Sequence, residues 1–250
     1  MTPPTPLHLS LAGQAVDVLR EQVLTGAIPP GSRVNEVEVA QKLGISRGPL
    51  REAIRHLASE GLLTLVPHRG AFVPECDADD VRALFELRTA LECAAAELAA
   101  SRRTDVDLVR LQQVCAESRR NYKAGQQFPY RLDLAFHQAL LDAARSPRIT
   151  EQVRLVQQRV VLLRSAMEDD PPHQHASMDD HDELVRAIAD GDAALASSVM
   201  RRHLSRVCAQ MLTSLSAQDR AEERVGVEHL GAGRHEPVGG VEELPQRRQR

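Results

Sequence analysis

Residues 33–73 read RVNEVEVAQKLGISRGPLREAIRHLASEGLLTLVPHRGAFV, and this stretch decides the fold. Val39, Ala40 and Leu43 recur at helical spacing over 36–43. Gly44 ends that short helix, because glycine turns the backbone without a Cβ penalty. Ile45 plugs the turn, and Ser46 is placed to cap the next helix. Pro49 is tolerable there, since no intrahelical N–H bond is lost in a first turn. Leu50, Ala53, Ile54 and Leu57 form the inward stripe, while Arg47, Arg51 and Arg55 follow at i, i+4, i+8 on an adjacent face. Gly61 stops the helix.

Leu62–Val66 and Ala71–Val73 are short apolar runs split by Pro67-His68-Arg69-Gly70, which predicts a hairpin with a basic tip. Helix, tight turn, helix and basic-tipped hairpin is the plan of a winged helix-turn-helix. In that plan the start of the second helix enters the major groove, where Arg can pair with guanine or phosphate. His68, Arg69 and Gly70 would reach the backbone or minor groove. The alternative is a helical core with a merely solvated charged face.

The stretch resembles the winged helix of GntR-family transcription regulators. The resemblance is carried by Glu36, Ala40, Leu43-Gly44-Ile45-Ser46-Arg47, Pro49-Leu50-Arg51-Glu52-Ala53, Leu57, Glu60-Gly61-Leu62 and Arg69-Gly70-Ala71. It implies a DNA-contacting set of Arg33, Glu36, Ser46, Arg47, Gly48, Pro49, Arg51, His68, Arg69 and Gly70. The motif departs at Val37, where some relatives carry a base-reading Arg.

Working outward, 250 residues with 42% hydrophobic side chains suffice for one or two packed domains. Aromatics are only 2%, so the core must be Leu, Val, Ala and Ile, which favours helices. The net charge of −4 does not itself suggest DNA binding. Between Lys42 and Arg69, however, five Lys/Arg face two Glu, and a local basic face is enough. Cys76, Cys93, Cys115 and Cys208 show no paired spacing, there is no signal peptide, and no apolar run approaches a membrane span. A reduced, cytoplasmic protein is expected; Cys93 and Cys208 read as core fillers.

Residues 1–10 are Pro- and Thr-rich and expected to be disordered. Ala12, Ala15, Leu19 and Val23 give a first helix ended by Gly26, which completes a winged domain over 11–75. Residues 76–216 keep a helical period throughout. Asp77 caps a helix with Leu84, Leu87, Leu91 and Leu98; Thr104 caps the next. Further helices are expected over 131–144, from Ser146-Pro147 through Met167, over 179–189, and from the Asp192 cap past Met211. The fold class is therefore mainly α: a winged helix-turn-helix of three helices plus a β-hairpin wing, then an all-α six-helix bundle. Residues 217–250 are polar and Gly-rich and read as a disordered tail.

Asp133 and His137 lie one turn apart and flank the stripe Leu132, Phe136, Leu140. His181 is in register with Leu184, Val185 and Ile188, and His203 with Val199, Met200 and Val207. One carboxylate and three imidazoles suit a divalent transition metal with positions left open, Zn²⁺ first and Ni²⁺ or Mn²⁺ next. Each His alone would more often be a hydrogen-bonded core residue; it is the set of four that points to an ion. His173 and His175 fall in a Pro-rich loop and read as surface residues.

Residues 76–216 also resemble the FCD domain of the FadR subfamily, in its VanR-like branch. There Asp-x-x-x-His and two later His bind a metal, matched here by Asp133-Leu-Ala-Phe-His137, His181 and His203 within a well-matched 180–204. The resemblance implies a metabolite-responsive regulator, with repression the expected sign. It also implies a homodimer on an inverted-repeat operator and a small carboxylate effector. Arg88 matches an Arg used near the pocket; its alternative is an exposed salt bridge to Glu92. Two other classes stay open, a metal-dependent hydrolase and a DNA-binding protein whose bundle only dimerises.

Overall fold

The computed structural model describes residues 10–123, 130–164 and 171–231. The head contains α1 (Leu11–Leu24), α2 (Glu36–Leu43), α3 (Arg47–Ser59) and an antiparallel hairpin of β1 (Thr64–Val66) and β2 (Gly70–Phe72). The bundle follows as α4 (Ala78–Arg102), α5 (Asp105–Lys123), α6 (Tyr130–Ala144), α7 (Pro147–Arg164), α8 (Pro171–Asp190) and α9 (Ala193–Gly231). Among the described residues no helix is long and apolar enough to cross a membrane.

Local chemistry sets most of these boundaries. Gly44 adopts φ +64°, the left-handed turn between α2 and α3. Asp77 forms a reciprocal cap with Asp80, accepting from the Asp80 N–H at 2.8 Å. The Thr104 N–H donates to Asp107 at the start of α5, and Asp192 accepts from the Leu195 N–H at the start of α9. The head core is aliphatic: Leu19, Leu50, Leu57 and Leu62 are fully buried, each contributing about 1.5–3 kcal/mol of transfer free energy. In the bundle α4 is central and packs against α6, α7, α8 and α9.

Several expectations are corrected. Ser46 occupies the N-cap of α3 but makes no capping bond; its hydroxyl is exposed beside Arg47 and Gly48. The hairpin strands are shorter than their apolar runs, because Leu62 and Leu63 turn inward to the core before pairing begins. An isolated bridge also ties Arg33 to Phe72 of the wing: the Val34 N–H donates to Ala71 O and the Val73 N–H to Ser32 O, both at 2.9 Å.

In the bundle, α8 begins at Pro171 rather than near Asp179, since proline is compatible with a first helical turn. His175 is therefore on a helix; it is exposed and lies 3.6 Å from Asp179. The side chain of His173, and Met167, lie outside the described residues. The last helix continues past Ser216 to Gly231, where Ala, Glu and Arg supply helix propensity despite the polar composition. On α4 the stripe is shifted. Leu87 is exposed, and the inward face is built from Val81, Leu84, Phe85, Arg88, Glu92, Ala95, Ala96 and Ala99.

The two parts touch through α7. Leu162 is 1% exposed and belongs to the core of the head, not of the bundle. Arg20 of α1 donates to Gln158 at 2.6 Å and to Glu60 at 2.5 Å.

Candidate functional site

The basic face of the head is built by α3 and the wing. Arg47, Arg51 and Arg55 are exposed along α3, with Ser46 and Gly48 exposed at its start and Pro49 half-buried. Glu36 stands across from Arg51, 3.4 Å from its Nε. At 60% exposure for Arg51 this pair holds little energy, and it leaves the guanidinium accessible. At the wing tip His68 takes φ +60°. Arg69 lies over the Phe72 ring at 5.6 Å. The bridge to Phe72 brings Arg33 to the same place: its guanidinium sits 3.2 Å from where a Gly70 Cβ would stand. Arg33, Arg69 and Gly70 thus form one edge of the wing.

The second cluster is interior. Asp133 and His137 project from α6, His181 from α8 and His203 from α9, and all four are buried. One ligand atom from each lies within 4.8 Å of the others. Ligands about 2.1 Å from one ion are at most about 4.2 Å apart, so a small closure brings the set to bonding distance. His137 Nε2 and His181 Nε2 stand 3.8 and 3.7 Å from the two Asp133 oxygens. Phe136 stacks on the His181 ring at 3.8 Å between centroids, fixing its plane. The buried Nε2 atoms of His181 and His203 have no hydrogen-bond partner. Buried nitrogens are rarely left so, and lone pairs aimed at a shared point fit a cation.

Electrostatics agree with that donor set. Burial drives the His181 ring well below its ordinary value, and His203 beside it adds to the effect. Burial likewise lowers His203, against the pull of Asp180. Neutral rings are the form that ligates. Burial would raise the Asp133 carboxyl, but His137, His181 and Arg164 hold it well below the usual carboxylate range.

Arg88 is not on the surface: it is 1% exposed, and its Nε donates to Glu92 Oε1 at 2.5 Å. Its Nη2 lies 3.2 Å from His137 Nε2, so the guanidinium is inside the polar cluster. The exposed salt bridge is thereby corrected to a buried ion pair within the site. Sequence reasoning paired Glu92 with Arg88 alone and missed two carboxylate contacts with the histidines. Glu92 Oε2 lies 2.5 Å from His137 Nδ1, and Asp180 Oδ2 lies 3.5 Å from His203 Nδ1. Burial would raise the Glu92 carboxyl, yet Arg88 and His137 hold it at about 2. Asp180 is gripped by Arg202 at 3.1 Å and by Arg206. The available signal was spacing: Leu84, Arg88 and Glu92 share one face of α4, and Asp180 precedes His181.

Comparison with known proteins places both parts. Residues 11–73 match the bacterial regulatory proteins of the gntR family, and residues 83–206 match the FCD domain. The Nta operon transcriptional regulator of Aminobacter aminovorans is 31% identical over 183 residues, spanning 73% of this chain and 86% of that protein. The transcriptional repressor RspR of Escherichia coli K12 is 28% identical over 195 residues, spanning 78% and 86%. Among solved structures, one described as a transcriptional regulator GntR from Rhodococcus sp. RHA1 superposes with a TM-score of 0.68. It shares 26% identity and covers 82% of this chain and 99% of its own. These relatives are transcriptional regulators, not enzymes.

Proposed function

The chain belongs to the gntR family of bacterial regulatory proteins and carries an FCD domain, and from that membership we propose that it is a metal-containing, metabolite-responsive repressor. It is a DNA-binding transcription regulator; the sensing chemistry is the proposal. Asp133, His137, His181 and His203 hold one divalent transition ion, Zn²⁺ before Ni²⁺ or Mn²⁺. When bound, the ion supplies open positions for a carboxylate. The observation that carries this reading is the convergence of four buried ligand atoms, two of them imidazole nitrogens without any other partner.

Charge points to the effector. Glu92 pairs with Arg88, and Arg164 acts on Asp133, so two carboxylates meet two guanidinium groups and a divalent ion turns the pocket net positive. A small organic acid balances it, and Arg88 is the donor placed to pair with its carboxylate. Two copies present their heads to an inverted repeat in the cytoplasm. Acid bound near the ion favours one placement of those heads over another, which changes operator affinity by differential binding. In the head, Arg47 and Arg51 with Ser46, Gly48 and Pro49 serve the major groove, Glu36 orients Arg51, and Arg33, His68, Arg69 and Gly70 serve the backbone or minor groove.

A thermal-shift screen of carboxylic acids, with and without chelator, tests the sensing half. At least one acid should raise the melting temperature only in metal-loaded protein and release operator DNA in a mobility-shift assay. Protein that carries no metal after purification and takes up none from Zn²⁺ would overturn it.

A further inference from the structure

Helix α4 contributes none of the four metal-ligand candidates, yet it packs against α6, α8 and α9, the three helices that do. What it places at that junction is Glu92, fully buried. Oε1 accepts from Arg88 Nε at 2.5 Å, and Oε2 lies 2.5 Å from His137 Nδ1, two buried polar atoms with no hydrogen-bond partner elsewhere. A buried ion pair of this kind is weak evidence for stability, because desolvating two charges cancels most of their attraction. Apolar side chains of the same volume would serve the core as well.

We propose that Glu92 is a positioning residue that fixes His137 as the Nδ1–H tautomer, presents its Nε2 lone pair to the metal site, and holds Arg88 beside that lone pair. The hydrogen-bond roles are determined by chemistry. A carboxylate accepts, so His137 Nδ1 carries the hydrogen; a guanidinium only donates, so the Nε2 that faces Arg88 at 3.2 Å is the acceptor. Arg88 and an ion therefore call on the same lone pair. The bond from Arg88 Nε to Glu92 keeps the guanidinium in the pocket when Nη2 gives up His137. Glu92 thus links the residue that would meet the ion to the residue that would meet the acid; that link rests on the reading above, while the tautomer rests on the contacts alone.

The test uses full-length protein labelled with ¹⁵N-histidine, first stripped with chelator and then titrated with Zn²⁺ against a competing chelator. The His137 signals are assigned by their loss in His137→Gln. Wild type should show His137 with its hydrogen on Nδ1. Glu92→Gln, which offers an NH₂ where an acceptor is needed, should shift the ring toward the Nε2–H tautomer and weaken Zn²⁺ binding about 10–100-fold. Glu92→Asp keeps the carboxylate and should recover part of both readouts; it also serves if Glu92→Gln does not fold. An Nε2–H ring in stripped wild type, or a Glu92→Gln variant with wild-type tautomer and Zn²⁺ affinity, overturns the proposal. Should wild type take up no Zn²⁺, the metal reading falls, while the tautomer still upholds or overturns the role of Glu92.

Discussion

The head and the bundle are both helical, and both are bounded by capped or glycine-turned helices, but they fill their interiors with different chemistry. The head buries Leu19, Leu50, Leu57, Leu62 and their aliphatic neighbours. Among the described residues every buried charged or polar residue lies in the bundle, including Arg88, Glu92, Asp133, Asp180 and three histidines. An unpaired charge in a core costs several kcal/mol, and even a paired one returns little net stability. A domain that only had to hold its shape would look like the head. The bundle's polar interior therefore marks the half of the molecule whose inside is used, whereas the head uses its outside.

The contrast can be broken in order of expected effect. Leu57→Ala in the head should cost about 2–5 kcal/mol and abolish operator binding, while Zn²⁺ stoichiometry stays at the wild-type value. Metal lost together with DNA binding would show that the two parts fold as one unit. In the bundle, His203→Ala should lower bound metal and melting temperature together. With Zn²⁺ at 100 times its dissociation constant, the stabilisation withdrawn is about 2.7 kcal/mol, and chelator should withdraw the same amount from wild type. A wild-type melting curve that ignores chelator would return the four residues to ordinary core polar groups. Arg47→Ala should weaken operator binding by about 1–3 kcal/mol if it reads a base; equal losses on operator and random DNA would put it on phosphate instead. The smallest effect is at the junction: Asp77→Ala removes the reciprocal cap of α4 and should cost about 1 kcal/mol by denaturant titration, with DNA affinity unchanged.

Local rules made the turns and caps readable from the chain. Gly44, Asp77 and Asp192 each act on residues two to four positions away, and a short-range pattern carries them. The cluster of four buried side chains was readable for a related reason, because Asp133 and His137 share one face and His181 and His203 interrupt apolar stripes. Glu92 was not. It meets His137 from 45 positions away, on a helix packed on several sides whose exposed Leu87 and buried Arg88 invert the usual pattern. The bridge onto the wing was hidden likewise, since Arg33 pairs with Phe72 across the whole motif. The vacant cap at Ser46 fell to a different cause: sequence marks the position but not which way a hydroxyl turns.

Leu162 carries one more consequence. A boundary drawn along the chain after Val73 separates head from bundle, but in space the head's innermost layer includes a leucine supplied 89 residues later. A fragment cut at that boundary would leave an uncovered greasy socket in the head core, inviting self-association. Conversely, any swing of the head relative to the bundle must first withdraw Leu162 or drag α7 along with it. The same helix buries Val153, Val156 and Val160 in the bundle's own interior, so freedom of the DNA-reading part is leashed to the packing of the bundle.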